Sequence, residues 1–175
     1  DNALQSVEDF AISMWVKFDV DDSWEGLLSK GYLDGNNNGF TIRREEDNNK
    51  IRVSRSSGNE FENILESTTS ITASSGWTNV IVQREGNDWE LFINGVSEDT
   101  ETIADGVSQT FNNTDDFVFA KGNGTSEYLE GYLDDFVLFD DSLTSSEISE
   151  LYNNGGWRSP SEISASSDIL FLYTL

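Results

Sequence analysis

Residues 9 to 19, DFAISMWVKFD, alternate between apolar and other residues, so that Phe10, Ile12, Met14, Val16 and Phe18 share one side while Ser13, Trp15 and Lys17 share the other. Successive side chains of an extended chain point to opposite faces, so this pattern predicts a long strand with one face in a core. The same logic predicts strands in EGLLSKG, GFTIRRE, KIRVSR, ENILES, WTNVIVQRE, DWELFING, DDFVFAKG and YLDDFVLFD, separated by Asn, Gly, Asp and Ser clusters. Glu85-Gly86-Asn87-Asp88 reads as a tight turn and Asn94-Gly95 as a type I′ hairpin, which together set local antiparallel pairing. One helix is expected in DDSLTSSEISELYNNGG: Thr144 and Glu147 form a capping box, Ile148, Leu151 and Tyr152 an apolar stripe, and Gly155 a stop. Many short strands with one helix point to an antiparallel β-sandwich.

The chain's 175 residues suit one core. Its 33 acidic and 10 basic residues give a net charge of −23, a field that repels nucleic-acid backbones and anionic membranes. There is no cysteine and no histidine, which removes disulfides, thiolate sites, the commonest zinc ligand and the commonest general base. A metal, if one is bound, should be oxygen-ligated and calcium-like. Stretches such as Ile169 to Tyr173 are too short to insert into a membrane. The residue range divides into a sandwich domain over 1–156, a serine-rich linker over 157–167 that Trp157 is expected to pin, and a terminal strand over 168–175.

The motif order resembles the laminin-G-like, concanavalin A-like jelly-roll domains. The matching pieces are DFAISMWVKFD, LLSKG followed by GFTIR, GWTNVIVQREGNDWELFINGV, and GYLDDFVLFDDSLTSSEISELYNNG. The resemblance implies an all-β, two-sheet antiparallel jelly-roll sandwich with one short helix near the C-terminus and about 12 to 14 strands. Members often open with a strand that has no counterpart here. Its likeness appears as DILFLYTL, which either folds back onto the domain, the favoured reading, or begins a following repeat.

Several carboxylates could carry chemistry. Residues 34 to 45, DGNNNGFTIRRE, match the fixed positions of an EF-hand loop through Asp34, Asn36, Asn38, Gly39 and Glu45, but both flanks read as strands rather than helices. Asp34 is kept only as a rim cation ligand. Asp134 shares the alternation phase of Phe136 and Leu138, so it or Asp135 should turn toward the core or its rim, where a carboxylate needs a cation or hydrogen bonds. In similar domains this position supports a structural calcium at the sandwich rim or anchors a neighbouring loop, and Asp134 and Asp135 are the leading ligands expected; backbone N–H groups are the alternative. The loop DVDDSWEG offers Asp21, Asp22 and Trp24, which with Asn37 make the candidate ligand-binding set, although a turn with Trp24 packed on the rim is the plainer reading. Trp15, Trp77 and Trp89 are read as packing residues. Asn112 and Asn123 lie in N-x-T sequons, weak signals in an Asn-rich chain.

The jelly roll also carries hydrolases and lyases. A hydrolase needs alternating carboxylates of the type E-x-D-x-E, and Glu98-Asp99-Thr100-Glu101 has the wrong spacing, so it reads as a solvated face. Triads built on histidine are excluded by composition. The chain is therefore expected to be a non-catalytic recognition module, glycan-binding or adhesive, of a secreted, cell-surface or virion protein. The alternative is a structural or assembly domain, which could contact neighbouring copies of itself, and a polysaccharide-active enzyme comes third.

Overall fold

The computed structural model describes residues 9–31, 39–57, 60–103, 115–122, 126–156 and 158–173. The described residues form eleven strands in two antiparallel sheets: β1 (Phe10–Phe18), β2 (Glu25–Lys30), β3 (Phe40–Arg44), β4 (Lys50–Ser57), β5 (Glu60–Ser70), β6 (Thr78–Glu85), β7 (Asp88–Ile93), β8 (Val96–Thr102), β9 (Phe117–Phe119), β10 (Gly131–Phe139) and β11 (Ile169–Tyr173). One sheet has the order β11-β10-β1-β6-β7-β8 and the other β5-β4-β3-β2-β9. The architecture is the two-sheet jelly-roll sandwich that the alternation and the resemblance predict.

The inward phase of β1 is the predicted one. Phe10, Ile12, Met14, Val16 and Phe18 pack with Leu28, Phe40, Ile42, Val53, Val82 and Leu91 in a core between the sheets. At its centre Trp89 lies 5.5 Å from the Phe10 ring and 6.1 Å from that of Phe40. Three arginines are buried with the core residues: Arg44 lies 4.1 Å above Phe18, Arg84 sits 5.4 Å from the Trp89 ring, and Arg55 pairs with Glu62 at 3.0 Å.

A second apolar cluster covers part of the outer face of the six-stranded sheet. Helix α1 (Ser145–Tyr152) begins with the expected capping box between Thr144 and Glu147. Its Ile148 and Leu151, with Leu143, Ile163 and Ala165, press on Ala11, Ile81, Phe92, Val137 and Phe139. The helix is closed by Asn153, whose left-handed backbone supplies the C-cap, two residues before the predicted Gly155 stop. Residues 158–168 run as short 3-10 turns with Pro160, Ile163 and Ala165 buried, and β11 then pairs with β10 as the sheet edge.

Two features depart from the sequence reading. β8, VSEDTET, escapes detection because a single apolar residue leaves it no alternation to display. Its acidic string is not a bare solvated face: Glu98 accepts hydrogen bonds from the backbone N–H and hydroxyl of both Thr68 and Thr69, and Asp99 accepts the Glu66 N–H at 2.8 Å. These bonds tie the edge of one sheet to the edge of the other. The second departure is a bulge in β10. Ser13 faces Val137 but Trp15 faces Asp134, so β10 carries one extra residue there, and Asp135 takes φ 48° to accommodate it. Asp134 therefore changes phase relative to Phe136 and joins Trp15 on the outer face.

Candidate functional site

The half of the six-stranded sheet left uncovered by α1 presents a cleft. Trp15 on β1 and Asp134 on β10 are direct cross-strand partners on its surface. With Asp135, Gly155 and Trp77, which immediately precedes β6, they line a cavity of about 260 Å³. Trp77 is 46% exposed and its ring centroid lies 6.3 Å from that of Tyr132, itself 54% exposed on the same face. Lys17, the cross-strand partner of Tyr132, holds its ammonium 5.5 Å above that ring. From the opposite side Tyr152, the last residue of α1, stacks on Trp15 at 6.2 Å with an interplanar angle of 23°.

Local sequence explains this convergence. Asn94 and Gly95 both have positive φ, as a type I′ turn requires. A Cβ at Gly95 would stand 3.0 Å from Tyr152 Cδ1, so only glycine lets the tyrosine lie over this turn and reach Trp15. Beneath, Asn79 faces Trp15 from β6 and donates through Nδ2 to Ser13 Oγ and Met14 O, both at 3.3 Å, while its buried Oδ1 has no hydrogen-bond partner among the described residues. Asp134 Oδ1 accepts the Asp135 N–H at 2.8 Å, which helps hold the bulge. Chemically, the cleft sets ring faces, suited to packing against apolar C–H surfaces, beside carboxylates, suited to accepting hydrogen bonds.

The remaining candidates are dispersed. Asp34 and Asn37 lie outside the described residues, as do Trp157 and the sequons at Asn112 and Asn123. Strand β2 precedes the EF-hand-like stretch and strand β3 runs within it, and Glu45 pairs with Arg52 and Asn48. Asp21 accepts the Ala73 N–H at 2.7 Å and stands 3.6 Å from Arg44, while Asp22 exchanges hydrogen bonds with Asn49. These two carboxylates tie loops together. Trp24 is half-buried beside the other sheet, with the Arg43 guanidinium 4.6 Å from its ring centroid. Among the described residues no three acidic side chains gather where a metal could be held. A calcium at Asp134 and Asp135 would therefore draw the rest of its six to eight oxygens from backbone and water.

The outer face of the five-stranded sheet has a different character. Arg43 and Arg52 are directly opposed on β3 and β4. Like charges in such positions repel, and three glutamates answer them: Glu127 lies 3.5 Å from Arg43, while Glu45 and Glu66 both pair with Arg52. The hydrogen bond from Arg52, with help from Lys50, holds the Glu66 carboxyl below the ordinary glutamate range. At the rim, Arg44 and Glu25 form an ion pair with both side chains 0% exposed. Burial pushes the Glu25 carboxyl up, against the opposing pull of the Glu130 N–H and Arg44.

Comparison with known proteins agrees with this architecture. No curated protein sequence matches the chain. Among solved structures, the CBM40 of the Ruminococcus gnavus IT-sialidase, bound to α2,3-sialyllactose, superposes with a TM-score of 0.66 at 15% identity over 83% of each chain. Domain 4 of the Geobacillus stearothermophilus extracellular arabinanase AbnA, in complex with arabinotriose, gives 0.67 at 16% identity, covering 83% of this chain and 66% of that one. A heptameric SAP-like pentraxin from Limulus polyphemus gives 0.61 at 15% identity, covering 97% and 81%. At these identities the likeness is one of fold. The family model Laminin_G_3, described as the concanavalin A-like lectin/glucanases superfamily, matches residues 1–149, and the chain belongs to that family.

Proposed function

We propose that this member of the concanavalin A-like lectin/glucanase superfamily is a non-catalytic glycan-binding module of an extracellular or surface protein, and that the Trp15–Trp77–Asp134 cleft takes the saccharide. The observation that carries this reading is the exposed Trp77 and Tyr132 pair beside Asp134 on the part of the sheet that the helix leaves open. Exposed large aromatics that converge on a concave polar site mark a surface kept for a partner. The carbohydrate ligands named for two structural neighbours lend it support. The absence of histidine, and the engagement of Glu98 and Asp99 in inter-sheet hydrogen bonds, favour binding over turnover.

Two measurements test it. A glycan array run with calcium and again with chelator should give a saccharide signal, and addition of the bound sugar should quench tryptophan fluorescence. Silence under both conditions, or turnover of a polysaccharide lost on mutating one carboxylate, would overturn the reading. A calcium at Asp134 and Asp135 is the competing occupant of these carboxylates, and a melting temperature lowered by chelator would reveal it. A second reading, an assembly unit, draws on β11, whose Leu170, Phe171, Leu172 and Tyr173 stay exposed on a sheet edge. Concentration-dependent association abolished by Leu172→Lys would favour it.

A further inference from the structure

The polar wall of the cleft carries one sign of charge. Its described lining comprises Trp15, Trp77, Gly155 and the two carboxylates Asp134 and Asp135, with no lysine or arginine among those residues. Beside it, Lys17 lies over the Tyr132 ring. One ammonium therefore already uses an aromatic face at the margin of the cleft, as the attraction between a cation and a ring quadrupole predicts. The wider field has the same sign, since the chain carries a net charge of −23. The basic residues that could offset it are concentrated elsewhere: Lys30, Arg43, Arg44, Lys50, Arg52 and Arg55, six of the ten, belong to β2, β3 and β4 of the opposite sheet.

Resting on the glycan-binding reading, we infer that the cleft selects a cationic saccharide, a hexosamine bearing a free amino group, over neutral and acidic sugars. The C–H face of its ring packs on Trp77, and its ammonium lies against the carboxylate of Asp134. Asp134 is suited to this because its cross-strand partner is Trp15, which sets an indole and a carboxylate side by side. A sialic or uronic acid would bring a third carboxylate to the same wall, within a negative field that also slows its approach. An N-acetylated hexosamine keeps the ring face but loses the charge.

The test is calorimetric titration of the full chain with a glucosamine tetramer, its N-acetylated counterpart and sialyllactose, at physiological ionic strength. The glucosamine tetramer should bind tighter than the other two by about tenfold or more. Its affinity should collapse when the pH is raised above the titration of the ligand amine, a readout that needs no variant. Asp134→Asn keeps an oxygen for the Asp135 N–H and should lower the affinity for glucosamine about tenfold more than that for the N-acetylated tetramer. Trp77→Ala should weaken both. Equal or tighter binding of the N-acetylated or sialylated ligand would overturn the inference and leave the glycan-binding reading standing. Glucosamine binding that survives both substitutions would show attraction to the acidic surface at large, which overturns the inference too. If no saccharide binds in a manner sensitive to Trp77→Ala, both proposals fall.

Discussion

On the outside of the five-stranded sheet, Arg43 and Arg52 are opposed across two strands and are matched by Glu45, Glu66 and Glu127. On the outside of the six-stranded sheet, Asp134 lies instead beside indole and phenol rings, two of them about half exposed. The first face spends its charges on internal pairs, and the second keeps aromatic surface and carboxylates facing a cavity. The difference teaches where to look for recognition in an acidic chain. Internally matched charge is architecture, whereas the exposed rings beside acids are the surface on which the saccharide proposal rests.

That contrast breaks most visibly at the buried pair. Glu25→Gln or Arg44→Met leaves one charge buried without its partner and should cost about 3–5 kcal/mol of stability, read as a shifted denaturation midpoint. Saccharide affinity at the cleft should stay unchanged below the melting transition, because the pair lies in the other sheet. The converse is Trp77→Ala. It should lower saccharide affinity about tenfold or more, with stability moving by less than about 1 kcal/mol, since hot-spot aromatics act in binding while exposed substitutions barely affect folding. Equal losses of affinity from Glu25→Gln and Trp77→Ala would erase the distinction between the faces.

Acid titration sharpens it further. The folded-state pKa of Glu66 lies below its unfolded value, so its contribution is present above the unfolded value and is lost as pH falls through the folded one. Glu25 has the opposite sign: its folded pKa is raised, so its contribution is fullest in acid and declines as pH rises through that raised value. Glu66→Gln should therefore flatten part of the acid limb of a melting curve against pH. Solvent screening of this partly exposed group keeps the effect under about 1 kcal/mol, or roughly 2–4 °C. The smallest effect on saccharide binding is expected at Trp24. Half-buried against Arg43, it belongs to the architectural face, so Trp24→Ala should change saccharide affinity by less than about twofold and stability by about 1 kcal/mol.

The faces were legible wherever alternation was strict. The phase of Phe10 to Phe18 already set Trp15 outward with Ser13 and Lys17, and the capping box located α1. What alternation could not show was that Trp15, Trp77, Tyr132 and Tyr152 meet, because they come from four separate parts of the chain and their meeting depends on packing. The packing reading of the tryptophans holds for Trp89 and for Trp15, both buried, and fails for Trp77, which is 46% exposed. The phase of Asp134 failed at the bulge. Its only local signal is a second aspartate, a residue type that tolerates the left-handed region better than most. The EF-hand spacing is rejected by its strand context in sequence and structure alike: β2 precedes the stretch and β3 runs within it, where the motif needs helices.

The turn beneath Tyr152 has a consequence for the lifetime of the molecule. Asn-Gly is the dipeptide most prone to spontaneous deamidation, because the following glycine N–H can attack the side-chain carbonyl and convert the residue to aspartate or isoaspartate. Here the Asn94 side-chain oxygen accepts the Asn79 N–H at 3.0 Å and its own N–H donates to Asn79 O at 2.9 Å, which restrains the rotation that cyclisation requires. Folding thus protects a bond that the unfolded chain leaves open to attack. An aged preparation should show its damage first in molecules that have spent time unfolded, as a one-dalton gain at Asn94 accompanied by loss of the Tyr152 stack on Trp15.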